Sequence, residues 1–361
     1  MPANADGRRI ERRFNALTNR ERAAIRITLL LILAGLVFAL GEISVRLQGR
    51  KPWVARTVRG MTIEPGGKLF MRHPTLGFTH IPGVFKVTFP DGYTYRATHL
   101  ENGLRVTRPD AGTPSGKPGI WVFGCSFTYG MGLNDTETFP WLLQERFSDY
   151  EVVNFAQCGY GTVQALIQLR EAIAARGIPR VAVLTYASFH DERNTLLRHW
   201  RKAFFYYNTL GPLQQPYARL VKNGRLRIQL SSAAYRPFPF MRYSALIHCI
   251  EEKYDLLMER YVIHSHEVTK ALIKEFAREC ASRKVSLVVA GIYRSPETAD
   301  VLEFCHREGI PAIDIAVDYA SDSRYNLLPH DVHPNIAAHR AYAEHLATYL
   351  SNVLGQAAAP L

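Results

Sequence analysis

A serine, a histidine and an aspartate are the residue types that nucleophilic catalysis requires. Ser126 follows a short apolar run and precedes a turn that contains Gly130, while Asp331 and His333 lie near the C-terminus. A serine hydroxyl is a weak nucleophile, so it needs an imidazole to accept its proton and a carboxylate to orient that imidazole. An isolated Asp-x-His is also typical of a helix cap beside a surface histidine. Together the three residues predict Ser126 as nucleophile, His333 as general base and Asp331 as its orienting acid.

Apolar runs and amphipathic stretches alternate around these residues. The apolar runs predict buried strands at 119–123, 150–155, 180–186, 285–290 and 310–315. Stretches with helical periodicity predict helices at 139–147, 162–176, 266–283, 301–308 and 336–354. The alternation predicts an α/β fold with a doubly wound, mostly parallel sheet, whose functional groups lie outside the carboxyl ends of the strands. Ser126 directly follows such an end, and the loop before the last helix can reach it.

An apolar segment near the N-terminus predicts a membrane anchor. The fifteen residues from Ile27 to Gly41 carry no charge, and the helix can continue to Val45, which approaches the roughly 20 residues that cross a bilayer. Seven arginines precede the segment and five basic residues follow it through Arg59, which favours a cytoplasmic N-terminus. We therefore predict a basic cytoplasmic tail at 1–26, an anchor at 27–45 and a periplasmic or otherwise extracytoplasmic remainder. A cleaved signal peptide and a buried core helix are the alternatives.

The remainder of the chain divides into two predicted regions. Residues 46–115 are rich in Gly, Pro, Thr and aromatic residues, and form a β-rich lead-in with a hairpin of strands at 85–89 and 93–98. Residues 116–355 form the catalytic domain, with an insertion at about 194–243 that contains a hairpin around Asn223-Gly224. An insertion of this length is either a lid or substrate wall, or an ordinary excursion that covers the sheet.

Composition limits the partners and cofactors. The 361-residue chain is 47% hydrophobic and 21% charged, which excludes a disordered or fibrous protein. Its net charge of +12 suits an anionic glycan or a lipid surface, but the basic residues are scattered and no nucleic-acid-binding module is recognisable. The five cysteines lack zinc spacing, and His264 and His266 have no acidic cluster close by in the sequence. We therefore predict no nucleic-acid partner, no metal and no cofactor.

Three short blocks resemble those of the SGNH/GDSL hydrolase superfamily, over about 119–354. The first block runs from Gly124 to Gly130, the second from Asn154 to Thr162, and the third is Asp331-Val332-His333-Pro334-Asn335. The resemblance implies a three-layer, flavodoxin-like α/β/α fold and a serine esterase. It also implies that the backbone N–H groups of Ser126 and Gly159 hold the oxyanion. The Gly-x-Ser-x-Gly elbow of the separate α/β-hydrolase fold does not occur around Ser126.

The third oxyanion donor and the acid depart from the family pattern. No clear counterpart exists for the family's asparagine donor, and an alignment of His190-Asp191 with its Asn-Asp pair makes His190 the third donor, with Asn194 in reserve. An imidazole N–H can donate to an oxyanion as an amide does. A loop histidine that bonds to a neighbouring carboxylate is the alternative. The acid Asp331 lies two residues before the histidine, and His330 occupies the family's usual position three before. This spacing resembles the Asp-x-His of alginate-type O-acetyltransferases.

Cysteines stand beside two of the site residues. Cys125 replaces the aspartate that usually precedes the nucleophile, and Cys158 precedes Gly159. The two cysteines are either a disulfide in an oxidising compartment or small buried packing residues.

The sequence thus predicts hydrolysis of acyl esters through an acyl-serine, on an O-acylated cell-envelope carbohydrate or a similar ester. Acyl transfer to an extracytoplasmic polysaccharide would use the same residues. A catalytically inactive scaffold that binds a glycan is the alternative that is not an enzyme. The departures from the family pattern at Cys125 and His190 motivate it.

Overall fold

The computed structural model describes residues 18–55, 60–113, 115–204 and 210–358. The chain divides into two compact units, of which one comprises 1–55 with 236–256 and the other comprises 56–235 with 257–361. Residues 1–17 of the predicted basic tail lie outside the described residues. The helices are α1 (Asn19–Leu47), α2 (Ser126–Tyr129), α3 (Phe139–Arg146), α4 (Thr162–Arg176), α5 (His190–Asn194), α6 (Arg198–Phe204), α7 (Ala245–Met258), α8 (Ser265–Ser282), α9 (Pro296–Arg307) and α10 (Ile336–Ala358).

The strands of the described residues all belong to the second unit. They are β1 (Thr62–Glu64), β2 (Phe70–His73), β3 (Gly77–His80), β4 (Gly83–Thr88), β5 (Thr94–His99), β6 (Gly119–Phe123), β7 (Glu151–Asn154), β8 (Val181–Tyr186), β9 (Gln214–Leu220), β10 (Leu226–Ser232), β11 (Ser286–Gly291) and β12 (Ala312–Asp314).

The central sheet of the second unit has five parallel strands in the order β12-β11-β8-β6-β7. Counted along the chain, this is the 2-1-3-4-5 order of flavodoxin-like folds, in which the topological switch lies between the first and third strands. The switch here lies between β6 and β8, and Ser126 follows β6. The predicted α/β fold with a doubly wound parallel sheet is confirmed.

Alternate residues of the strands pack against helices on opposite faces of the sheet. Trp121 and Phe123 of β6 belong to a core with α4, α8 and α9, whereas Ile120 and Val122 belong to a second core with α3 and α10. Both faces are covered, which explains why these strands read as continuous apolar runs. The α9 helix begins five residues before its predicted start, because Ser295 Oγ accepts the Thr298 N–H and caps it.

The strands before β6 form two small antiparallel sheets. One has the order β1-β4-β5 and the other is the β2-β3 hairpin. The predicted hairpin of β4 and β5 is confirmed, whereas β1, β2 and β3 have only three or four residues each and were not predicted. The predicted hairpin around Asn223-Gly224 is β9 paired with β10, and both turn residues have positive φ values, of 87° and 71°.

The buried arginine Arg105 joins the small sheets to the loop that follows Ser126. Its guanidinium pairs with Asp135 at 3.0 Å and donates to the carbonyl oxygens of Tyr129, Gly130 and Leu133. A buried cation is stable only when such partners satisfy its donors. Arg105 therefore fixes the turn at the end of α2.

The first unit contains α1, a helix long and apolar enough to cross a membrane, and the only such helix in the described part of the chain. It begins with a capping box in which Thr18 Oγ1 accepts the Glu21 N–H and the Glu21 carboxylate accepts the Thr18 N–H. Its apolar side chains are exposed, for example Leu31 at 68%. Exposure of so many apolar side chains has an unfavourable free energy in water and a favourable one in lipid.

Candidate active site

Ser126 is the first residue of α2, directly beyond the carboxyl end of β6. Gly124 permits this tight entry, because a Cβ there would overlap the hydroxyls of Thr128 and Thr185. Those two hydroxyls lie 2.6 Å apart, and Thr185 also donates to the carbonyl oxygen of Phe123. The glycine therefore lets α2 lie against β8, and it directs the Ser126 hydroxyl toward the edge of the sheet.

His333 faces Ser126 from the loop before α10. The His333 Nε2 and Ser126 Oγ atoms are 2.9 Å apart. On the other side of the ring, Nδ1 forms a short hydrogen bond with the Asp331 carboxylate, which also accepts the His333 backbone N–H at 3.0 Å. The ring edge packs on Phe127, with 5.6 Å between the centroids. The predicted nucleophile, base and acid therefore come together in a Ser-His-Asp arrangement.

Asn335 holds the loop that carries the base and the acid. Its amide nitrogen donates to the carbonyl oxygens of Arg324 and Asn326, and its amide oxygen accepts the N–H groups of Ala337 and Ala338 at the start of α10. The same side chain thus caps the helix and ties down the preceding loop.

His330 points away from the triad. Its Nδ1 lies 2.5 Å from the Asp91 carboxylate, and its ring stacks on Tyr93 at 4.5 Å between centroids. This contact lowers the pKa of Asp91. The position three residues before the base is therefore used in a surface pair, which leaves the role of acid to Asp331.

Gly159 and Ser126 line the same cleft. Its φ of 84° is in the left-handed region, and a Cβ there would lie 3.3 Å from the Phe78 ring. The preceding turn is fixed by Asn154, whose side-chain oxygen accepts the Ala156 N–H at 3.1 Å. Ser126 begins a helix, so its N–H has no partner within that helix. The two predicted backbone donors therefore border one space.

His190 and Asn194 do not line this cleft, which corrects the prediction of a third donor. The His190 ring is 1% exposed, contacts Tyr186 and Phe189, and has no hydrogen-bond partner among the described residues. Burial lowers the pKa of His190 well below its usual value. The Asn194 amide is already used, because it accepts from the Val163 N–H and donates to Thr269 Oγ1. These two residues lie four apart on α5, so they share its buried face.

Asp191 does not bond to His190 either. Its carboxylate accepts the Tyr186 hydroxyl and lies 2.8 Å from His266 Nδ1. The other nitrogen of His266 lies 2.7 Å from Asp300. His266 thus links α5 to α9, and the hydrogen bond with Asp191 raises the pKa of His266 to about 9.

The cleft side of α5 is occupied by Arg193, a residue that sequence reasoning missed. Its guanidinium packs between the rings of Phe189 and Trp200, at 4.4 and 4.7 Å from their centroids, and Nη1 donates to the carbonyl oxygen of Tyr160. Its buried Nε–H has no partner among the described residues. Gly161 allows the approach, since a Cβ there would lie 3.1 Å from Arg193 Cβ. Arg193 thus brings a cation to the cleft that Ser126 lines.

The cleft in front of the serine is mainly apolar. Its polar lining includes Ser126, His333 and Arg193. The apolar walls are Met61, Leu69, Phe70, Phe78, Met131, Trp200 and Leu210. Residues of the small sheets and of the segment after β8 therefore form the walls, whereas the parallel sheet holds the reactive groups.

Cys125 and Cys158 are free thiols. Burial raises the pKa of both, and the nearby Arg193 guanidinium offsets part of the rise at Cys125. Cys158 Sγ faces Met131 Sδ at 4.0 Å. Both residues therefore act as small packing groups around the nucleophile in this structure.

Fold and site together define a doubly wound α/β protein with a Ser-His-Asp triad at the switch point of its sheet. This is the arrangement that the resemblance to the SGNH/GDSL superfamily predicts. No family model matches the chain, and no curated protein matches it.

Solved structures similar to this chain include the psychrotrophic esterase EstA from Pseudoalteromonas sp., with 13% identity and a TM-score of 0.37, covering 66% of this chain and 100% of that chain. A GDSL-like lipase from Bacteroides thetaiotaomicron has 11% identity and a TM-score of 0.37, covering 67% and 91%. A mutant of Axe2, an acetylxylan esterase from Geobacillus stearothermophilus, has 10% identity and a TM-score of 0.37, covering 65% and 94%.

Proposed function

We propose that this protein is a serine esterase that cleaves acyl esters through an acyl-serine intermediate. The observation that carries the proposal is the 2.9 Å contact between Ser126 Oγ and His333 Nε2, with Asp331 on the opposite nitrogen of the ring. Asp331 holds the tautomer with its proton on Nδ1, which leaves Nε2 free to accept the serine proton. The pair opens onto a cleft with apolar walls, which suits the acyl part of an ester.

In the first half of the reaction, Ser126 Oγ attacks the ester carbonyl carbon and its proton passes to His333 Nε2. The oxyanion that forms is held by the N–H groups of Ser126 and Gly159, and we assign the third donor to Arg193. As the tetrahedral intermediate collapses, the bond to the alcohol breaks and His333 returns the proton to the leaving oxygen. Water then attacks the acyl-serine by the same route, releasing the carboxylic acid.

An O-acylated carbohydrate of the cell envelope is the proposed substrate class. It rests on the further proposal that α1 anchors the chain with its N-terminus in the cytoplasm and the second unit outside. The excess of arginines before the apolar segment 27–45 supports that orientation. A reporter that works only in an oxidising compartment, fused after Leu361, should be active, and a silent fusion would contradict the orientation.

The test of the esterase proposal uses the full chain in detergent and p-nitrophenyl esters of increasing acyl length. Ser126→Ala should reduce the rate to that of buffer, while Ser282→Ala, a change at an exposed serine on α8, should leave it unchanged. A fluorophosphonate probe should label the wild type and Ser282→Ala but not Ser126→Ala. Equal rates for wild type and Ser126→Ala would reject the serine mechanism and favour the inactive scaffold.

Acyl transfer is the second candidate, because the apolar walls beside the serine would limit access of water to the acyl-serine. Adding acetylated donor and a candidate polysaccharide distinguishes the two reactions. Acyl groups that appear on the polysaccharide indicate transfer, and release of free acid alone indicates hydrolysis.

A further inference from the structure

We propose that residues 236–256 lie in the headgroup layer of the membrane, as an interfacial segment beside the span α1. The proposal concerns only the first unit, and it rests on the proposed insertion of α1 rather than on the catalytic reaction. The occupant of its exposed apolar face is then a phospholipid surface.

The first step in the argument is the depth at which the two parts of this unit meet. The Glu42 carboxylate, in α1, accepts the Ser244 hydroxyl at 2.7 Å and the N–H groups of Ala245 and Leu246 at 2.9 and 2.8 Å. A Cβ at Gly41 would lie 3.0 Å from the Leu246 side chain, so Leu246 packs directly on α1. The start of α7 is therefore attached to the helix at residues 41–42.

That attachment point lies in the outer part of the proposed span, beyond its midpoint. From Ile27 to Glu42 the helix rises about 22 Å, at 1.5 Å per residue, whereas a bilayer core is about 30 Å thick. A carboxylate at such a depth needs partners, and the first N–H groups of α7 provide them. The positive end of the α7 dipole faces the same carboxylate, which further stabilises the contact.

Aromatic side chains lie next to this contact and remain exposed. Arg46 donates to the Tyr243 carbonyl oxygen at 3.0 Å, which fixes the turn before α7 beside the last residues of α1. The side chains of Tyr243 and Phe240 in this turn are 77% and 72% exposed. Aromatic rings are enriched where a span meets the headgroups, because one end of the ring is apolar and the other tolerates water.

The exposed face of α7 continues the same pattern. Ile250 and Tyr254 lie four residues apart, and therefore on one side of the helix, and are 51% and 43% exposed. Residues 46–55 and 236–256 contain six basic and three acidic residues, and Glu252 pairs with Arg50 at 3.3 Å. The exposed apolar side chains of α7 suit the boundary of the headgroup layer, and the net positive charge of the two stretches taken together attracts anionic lipid.

Tryptophan quenching by lipids with brominated acyl chains tests the proposal on the full chain in nanodiscs of phosphatidylcholine and phosphatidylglycerol. Tyr243→Trp and Ile250→Trp place the added fluorophore in the segment, with Tyr254→Trp as a replacement if either variant misfolds. Leu36→Trp reports a position within α1, and Ile178→Trp reports an exposed position of the second unit. The added emission of each variant is taken as its difference from the wild type.

We expect strong quenching at position 36, intermediate quenching at 243 and 250, and little at 178. If position 36 is quenched while 243 and 250 match 178, the anchor stands and the interfacial segment is rejected. If position 36 is not quenched, the insertion of α1 fails and the inference fails with it. If the emission at position 243 is not quenched by the lipid but changes with the number of chains per disc, a second copy of the chain covers this face. That result would also reject the interfacial segment. None of these outcomes depends on esterase activity.

Discussion

His333 Nε2 and Ser126 Oγ lie 2.9 Å apart although 207 residues separate them in the chain. The serine is held by the contact of α2 with β8, and the histidine by a loop that Asn335 ties to α10. Each group is therefore positioned by the parallel sheet or by a helix that packs on it. Such support keeps a nucleophile and its base aligned without a substrate present.

Replacement of the acid distinguishes Asp331 from its neighbour. Asp331→Asn should lower kcat by about 10³ to 10⁴-fold, because the amide can stabilise the tautomer that leaves no acceptor on Nε2. His330→Asn, a change of similar size at the surface pair with Asp91, should alter kcat by less than about twofold. Stopped-flow or steady-state assays with a p-nitrophenyl ester measure both. A loss of activity in His330→Asn with Asp331→Asn active would reverse the assignment.

Arg193→Gln tests the third oxyanion donor. We expect kcat to fall about 10²-fold with little change in KM, since the donor acts on the charge that develops in the transition state. Guanidinium ions should restore part of the activity of Arg193→Ala, a result that a merely structural role would not produce. Arg201→Gln is the matched control, because this half-buried arginine donates to the carbonyl oxygens of Leu196 and Ser232 outside the cleft. Equal kcat values for wild type and Arg193→Gln would remove Arg193 from the reaction.

The reason the sequence did not identify Arg193 lies in the orientation of a short helix. Both His190 and Asn194 were plausible donors by residue type, and the pattern of α5 is too short to show which side faces the sheet. In the structure, the side chains of His190 and Asn194 are on the buried side of this helix. That rotation depends on contacts with Thr269, Val163 and His266, which are distant in the chain.

Gly124→Ala should destabilise the second unit. The new methyl group would overlap the hydroxyls of Thr128 and Thr185, and overpacking of this kind costs about 1 to 3 kcal/mol. Gly112→Ala should have a small effect, because the nearest atom to its Cβ is on Leu100 at 3.9 Å. Urea unfolding followed by near-UV circular dichroism measures the difference. Equal midpoints for the two variants would show that the α2 contact with β8 adjusts freely.

The stability of the second unit should fall as the pH rises above neutrality, through His266. Its hydrogen bonds with Asp191 and Asp300 raise the pKa to about 9 in the folded protein, against about 6.5 in an unfolded chain. The protonated ring therefore stabilises the fold fully below pH 6.5, and this contribution is lost as the pH rises through 9. The shift corresponds to about 3 kcal/mol at most, and screening of the half-buried ring reduces it to about 1 kcal/mol.

His266→Gln should remove this pH dependence, and His306→Gln, at an exposed position of α9, should retain it. Unfolding free energies at pH 6.5 and pH 9.5 in urea give the comparison. A wild type as stable at the higher pH as at the lower one would contradict the role of His266.

The parallel sheet and the triad could be predicted because their signals are local. Each buried strand is a continuous apolar run, and Ser126 and His333 directly follow or precede recognisable elements. The α7 helix was not predicted. Ser244 caps its start locally, since its hydroxyl oxygen accepts the Ile247 N–H at 3.1 Å. The N–H groups of Ala245 and Leu246 instead bond to Glu42, which is 203 and 204 residues away in the chain.

The hydrogen bonds of Glu42 also bear on how the protein can be shortened for study. A fragment that starts after residue 60 loses this carboxylate, so the hydroxyl of Ser244 and the N–H groups of Ala245 and Leu246 would have to bond to solvent. It would also expose the side of Leu246 that packs on Gly41, and remove Trp53, whose N–H donates to the Met241 carbonyl oxygen. The intact chain in detergent or in a nanodisc is therefore a better sample for study than a soluble fragment that lacks the first helix.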